Sequence, residues 1–176
     1  MDLGKKMFFC MFSGQESKEI ILKSNFNDDF FDVKLGIVDY DHPIKTNVKF
    51  GNRFYDVLFF DDGVNIVVSK RLFTLLKTNE ITGWKTYPLN IKNVHENYYG
   101  FQIVGRCGKL MEPKNEGFYK GYKFDVETWD FSDFFSPKDT SLVFVNQKLK
   151  ELFVENEITN IHLVNIKDVE AYTDGL

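Results

Sequence analysis

A chain of 176 residues with 43% hydrophobic content and 19 phenylalanines has the material for one well-filled core, which excludes a disordered or purely fibrous polypeptide. Its net charge of −4 and pI near 5.4 exclude the clustered cations of a nucleic-acid-binding surface. Two cysteines, Cys10 and Cys107, do not make a disulfide framework, and reduced, buried thiols are the expectation.

The chain starts MDLGKKMFFCMFSG, where Lys5 and Lys6 precede an apolar run in the manner of a leader peptide. That run, Met7 to Phe12, is shorter than the roughly 7–15 residues of a secretory h-region, so a first β-strand is predicted instead. No later stretch has the length or apolarity of a membrane span, and a cytoplasmic home is expected. Glu16 to Leu22 carries a weak helical pattern. Asp28 to Val38 alternates irregularly around Phe30, Phe31, Val33, Leu35 and Ile37 and reads as a strand, broken by Asp41-His42-Pro43. Val48 to Phe60 adds strand material around a Gly51-Asn52 turn. Residues 1–56 therefore form a β-rich N-terminal part, followed by an α+β part over 57–176.

Val64 to Val68 is a β-branched run, and Ser69 follows where a helix N-cap belongs. Leu72, Leu75 and Leu76 then lie at i, i+3 and i+4, one apolar stripe with Lys70, Arg71 and Lys77 turned outward. Asn79-Glu80-Ile81-Thr82-Gly83 ends the helix, and Trp84 to Ile91 resumes as a strand whose Pro88 marks an edge, which would permit a homodimer. Tyr98 to Val104 is a further strand. Tyr119 to Phe135 interleaves aromatics with carboxylates.

The strand–helix–strand pattern then recurs. Leu142 to Val145 opens it, Asn146 replaces Ser69 as the cap, and Leu149, Leu152 and Phe153 repeat the stripe. Asn156-Glu157-Ile158-Thr159 repeats the four letters NEIT, with Asn160 in place of Gly83; both residue types tolerate a left-handed backbone. Two similar units, 57–97 and 138–170, thus pack on a shared mixed or antiparallel sheet in an α+β fold, one compact domain overall.

No catalytic or metal constellation emerges. His42, His95 and His162 are far apart in sequence with no ligand-spaced partner. Gly105-Arg106-Cys107-Gly108 lacks the lysine, hydroxyl and helix of a phosphate loop and reads as a turn. Ser69 has no nucleophile elbow. No cofactor is expected. The segment Phe124–Phe135, FDVETWDFSDFF, is the one with the chemistry of an interface: Trp129 among phenylalanines, ringed by Asp125, Glu127, Asp130 and Asp133. Asp61, Asp62 and Trp84 complete the candidate binding set, and Asp28, Asp29 and Asp32 form another acidic group. A core strand is the competing reading of the Trp129 segment, as core packing is of Trp84.

A helix of pattern V-S-x-x-L-x-x-L-L, a Thr-Gly turn and an aromatic-x-Pro strand stand here as VVSKRLFTLLKTNEITGWKTYP, followed by Tyr98-Tyr99 and, later, by the second helix unit. This layout resembles the immunity protein 11 family of bacterial polymorphic toxin systems, over roughly Val57 to Val169. The resemblance implies a non-catalytic cytoplasmic protein that binds and neutralises a cognate toxin, and the acidic surface implies a basic partner. The competing expectation is a small ligand-binding domain or enzyme with a pocket between the repeated units.

Overall fold

The structure, a computed structural model, describes residues 7–111, 113 and 115–173. Its elements in chain order are β1 (Phe8–Ser13), β2 (Ile21–Leu22), α1 (Phe30–Lys34), β3 (Ile44–Thr46), β4 (Val48–Phe50), β5 (Val57–Phe60), β6 (Ile66–Ser69), α2 (Lys70–Thr78), β7 (Trp84–Ile91) and β8 (Tyr98–Ile103). After these come β9 (Arg106–Cys107), β10 (Gly117–Lys120), β11 (Phe134–Pro137), β12 (Phe144–Asn146), α3 (Gln147–Glu155), β13 (Ile161–Asn165) and β14 (Glu170–Thr173). The class is α+β with mixed sheets, and the two expected helix units are present.

Two sheets carry the same arrangement. One contains the neighbours β7-β8-β6-β5-β2, the other β13-β1-β12-β11-β9. In both, the first three pairings are antiparallel and the last is parallel. The registers agree residue for residue: Val57 faces Val68 and Phe134 faces Val145, each pair shifted by the same 77 positions. Ser69 and Asn146, Leu72 and Leu149, Thr82 and Thr159 are related by that same shift. The strand corresponding to β8, however, is supplied by β1. Tyr98 pairs with Ser69 as Phe8 pairs with Asn146. The chain is therefore a duplication in permuted order, the second copy taking its central strand from the beginning of the sequence.

Strands buried on both faces explain the continuous apolar runs. Val57, Ile66, Val68 and Phe101 of one sheet and Phe134, Val143, Val145 and Met11 of the other meet in a shared core, into which α2 and α3 insert Leu72, Leu76, Leu149 and Phe153. The alternate residues face outward into two flanking cores, Leu58, Phe60 and Val67 in one and Phe135, Phe144 and Cys10 in the other. Leu72 and Leu149 are both fully buried, as their stripe predicts.

The repeated word NEIT is now legible letter by letter. Asn79 and Asn156 are the helix C-caps, and each side-chain amide donates to the carbonyl four residues back, Leu75 O and Leu152 O, at 2.9 Å. Glu80 and Glu157 follow in left-handed backbone at φ 50° and 48°. Ile81 and Ile158 close the motif, their amides donating to Leu76 O and Phe153 O while their side chains enter the shared core. Thr82 and Thr159 reach into the opposite copy, as described below. Glutamate is a strained choice at a left-handed position, and Glu80 is exposed. Glu80→Gly is expected to raise stability by about 0.5–1 kcal/mol, relief of left-handed strain outweighing the added freedom of the unfolded chain; a thermal melt checks it.

Several expectations are corrected. Asp28 to Val38 is not a strand: Asp29 caps the amides of Phe31 and Asp32, and α1 forms over Phe30–Lys34. The irregular alternation there was that of a single helical turn. Glu16 to Leu22 is a turn leading into β2. The strands of the β-rich part are shared between the two sheets: β1 lies between β12 and β13 in the second copy's sheet, while β2, β3 and β4 join the first. The second copy begins at Asp133 and β11, ahead of the expected bound at 138 and inside the stretch Tyr119 to Phe135. Pro88 lies on β7, which is not an edge strand: β3 pairs beyond it in parallel at Leu89–Ile91, leaving β7 without that neighbour only at Pro88 and before it. Among the described residues no helix is long and apolar enough to cross a membrane.

Candidate functional site

The eight residues expected to bind a partner fall into different environments. Asp61 accepts from the Ser24 amide at 2.7 Å and pairs with Lys49 at 2.6 Å, and the Lys49 hydrogen bond above all holds its carboxyl down to about 2. Asp62 accepts from the Ser24 hydroxyl and from the amides of Val64 and Asn65, shaping the β5–β6 turn. Trp84 is half-buried: its indole donates to Ile81 O at 2.7 Å and its ring stacks on Phe101. Asp125 caps a short 3-10 turn at Val126–Thr128, and Glu127 within that turn is exposed. Asp130 accepts from the Arg106 amide at 2.8 Å.

Trp129 and Asp133 are interior. Trp129 packs against Phe8 and Phe135 in a flanking core and is 5% exposed. FDVETWDFSDFF is thus a capped 3-10 turn and a loop whose last two residues open β11, and its tryptophan is buried in the flanking core. Asp133 accepts from the Thr82 amide (2.9 Å), the Thr82 hydroxyl (3.1 Å) and the Asn146 amide group (2.7 Å), with Lys148 at 3.7 Å. Asp56 does the same for the other copy, accepting from the Thr159 amide and hydroxyl, the Ser69 hydroxyl and Arg71. Each carboxylate sits at the foot of its own copy's helix and clasps the NEIT threonine of the other. Arg71 and Lys148 extend the same reciprocity, reaching the carbonyls of Asn156 and Asn79.

The acidic aromatic surface that the composition calls for lies elsewhere, on α1 and its flanks. Residues 28–41 contain five aspartates and one lysine, and that lysine, Lys34, is buried. Phe30, Phe31 and Ile37 are exposed among them, at 40%, 47% and 65%. Phe31 and Leu35 form one wall of an open concavity of about 590 Å³, and Tyr119, Tyr122 and Tyr172 supply others. Phe118, 86% exposed, meets Tyr172 edge to face beside it. Asp139 on the rim pairs with Lys109, an exposed contact that contributes little. Sequence reading noted Asp28, Asp29 and Asp32 as an acidic group and took the phenylalanines among them for strand residues; Phe30 and Phe31 follow the Asp29 cap in α1 and are exposed.

Both thiols are free and buried, and burial pushes each up to about 12. Arg106 beside Cys107 does not activate it, and Asp130 adds to the upward shift. Gly105–Gly108 carries a two-residue strand, β9, rather than a turn. The three histidines are exposed, and among the described residues no three His, Cys, Asp or Glu side chains gather at metal-binding distance. No protein-family model matches this chain, and no curated protein sequence matches it.

Proposed function

We propose that this protein acts by binding: it is an immunity-type protein of the bacterial cytoplasm that occludes a cognate basic toxin without catalysing a reaction. The observation that carries the reading is the segment 28–41, where exposed phenylalanines stand among aspartates beside a tyrosine-walled concavity. Aromatic side chains give anchors at low entropic cost, and the surrounding negative charge steers a cationic partner into register. The doubly latched, two-sheet scaffold supports this use, since a rigid face loses little freedom on association.

The test is co-purification with the product of the adjacent coding region, together with rescue of cells expressing it. Phe31→Ala is expected to weaken the complex about thirtyfold while leaving the fold intact, because the ring is half exposed. Asp32→Lys is expected to slow association and flatten its dependence on ionic strength. Undiminished rescue by the Phe31→Ala, Asp32→Lys double variant, or affinity indifferent to salt, would remove this surface from the reading.

A further inference from the structure

On one side of the seam between the two copies lies a second cleft, of about 340 Å³. Its walls are apolar, with Met11 and Val143 from one copy and Ile21, Phe59 and Ile66 from the other. Lys34 enters it from α1. This side chain is 95% removed from solvent, and its ammonium has one hydrogen-bond acceptor among the described residues, the Ser141 carbonyl, which also lines the cleft. No carboxylate among the described residues forms an ion pair with it. Asp62 is near enough to be felt, but its oxygens are taken up by Ser24, Val64 and Asn65. Glu19, at the cleft margin, is engaged by the Asn160 amide.

A buried ammonium with three donors and one neutral acceptor is poorly compensated. Desolvation accordingly pushes Lys34 down to about 8, with Cys10 and Asp62 opposing. The duplicated scaffold shows that an empty groove is not obligatory. Where Ile21 stands opposite Phe59, the other copy places Arg106 opposite Ser136. The Arg106 guanidinium fills its own side, donating to the carbonyls of Ile103, Gly105 and Leu35. Isoleucine at position 21 has no such reach, and that side stays open.

We propose that the cleft is a binding site for a small aliphatic carboxylate, the carboxylate seated on Lys34 beside the Ser141 carbonyl and the hydrocarbon lying along Met11, Ile21, Phe59 and Val143. The missing acceptors of the ammonium define the head group, and the apolar walls define the tail. This cleft adjoins the tyrosine-walled concavity, sharing Ser141 and Leu142 with it, but its ligand chemistry is its own and the proposal stands whether or not the acidic face binds a toxin.

Octanoate is the probe, titrated calorimetrically into the whole protein, with octanol as its uncharged counterpart. Octanoate is expected to bind and to raise the melting temperature, and octanol to bind about tenfold more weakly or worse. Lys34→Met keeps the side-chain length and removes the charge; its urea midpoint verifies folding, and its octanoate affinity is expected to drop to that of octanol. In the unaltered protein, octanoate protons are expected to give nuclear Overhauser contacts to the Met11 methyl. Absence of binding at millimolar octanoate, equal affinity for octanol, full affinity in Lys34→Met, or contacts only to methyls outside the cleft would each overturn the proposal.

Discussion

Asp133→Ala is expected to destabilise the protein by about 3–5 kcal/mol, and Asp56→Ala by a similar amount. Both carboxylates are buried, with side chains 9% and 7% exposed, and each is the sole carboxylate acceptor for a threonine amide, a threonine hydroxyl and a helix-cap side chain. Alanine would leave these part-buried donors without their shared acceptor and Arg71 or Lys148 without its ion-pair partner. Ser69 loses twice, because its hydroxyl donates to Asp56 while accepting from the Leu72 amide at 3.1 Å. Against a total stability of roughly 5–15 kcal/mol for a domain of ordinary size, either change is severe. Urea unfolding with an unchanged slope is the measurement. The crossing of the two latches makes a sharper test. Asp133→Ala should couple to Thr82→Val by about 1–2 kcal/mol and to Thr159→Val hardly at all, with the reverse holding for Asp56→Ala. Equal coupling to both threonines, or a loss below about 1 kcal/mol for either aspartate, would show that the latches do not hold the copies together.

The second large effect is a comparison between copies. Gly83 and Asn160 occupy equivalent left-handed positions, at φ 85° and 63°. An exchange between them is nevertheless expected to be lopsided. A Cβ on residue 83 would fall on the Phe134 carbonyl oxygen, far inside contact distance, and within 2.6 Å of Ser132 Cβ. Gly83→Asn must therefore push β11 away from the turn, at about 3 kcal/mol or more. Asparagine tolerates the backbone angle, so collision rather than strain sets the cost. In the other copy the strand stands back, and the Asn160 amide fills the gap by donating to the Val57 carbonyl at 2.9 Å. Asn160→Gly leaves that carbonyl and Glu19 without the amide donor and the Glu16 amide without its acceptor, and costs about 2 kcal/mol. Melting temperatures of the two variants decide the matter; equal losses would mean that the approach of β11 to residue 83 is not tight.

What could be read beforehand was whatever a short window encodes. The caps Ser69 and Asn146, the leucine stripes and the left-handed residues after each NEIT are local features, and the structure contains all of them. What escaped was long-range. FFCMFS and YYGFQI share only an apolar pattern, and nothing within either tells that β1 pairs with residues 144–146 and 161–165. Asp133 was read as one of the carboxylates ringing Trp129, and Asp56 was not singled out, because their partners lie across the molecule. Trp129 looked like an anchor because burial is decided by the cores that fold over it, here by Phe8 from the far end of the sequence. The segment 28–38 was read as a strand for a related reason. DDFFD is too short for its periodicity to declare a helix, so the outward turn of its phenylalanines could not be seen.

The borrowed strand also sets an order of events during synthesis. One sheet draws all seven of its strands from a single stretch ending at Ile103 and can assemble as soon as that stretch has left the ribosome. Its twin cannot: β1 must remain without its two neighbours until β12 and β13 have emerged. A nascent chain halted soon after Ile103 should therefore already protect the amides of Ile66–Ser69 from exchange, while those of Phe8–Ser13 stay open until Asn165 has emerged.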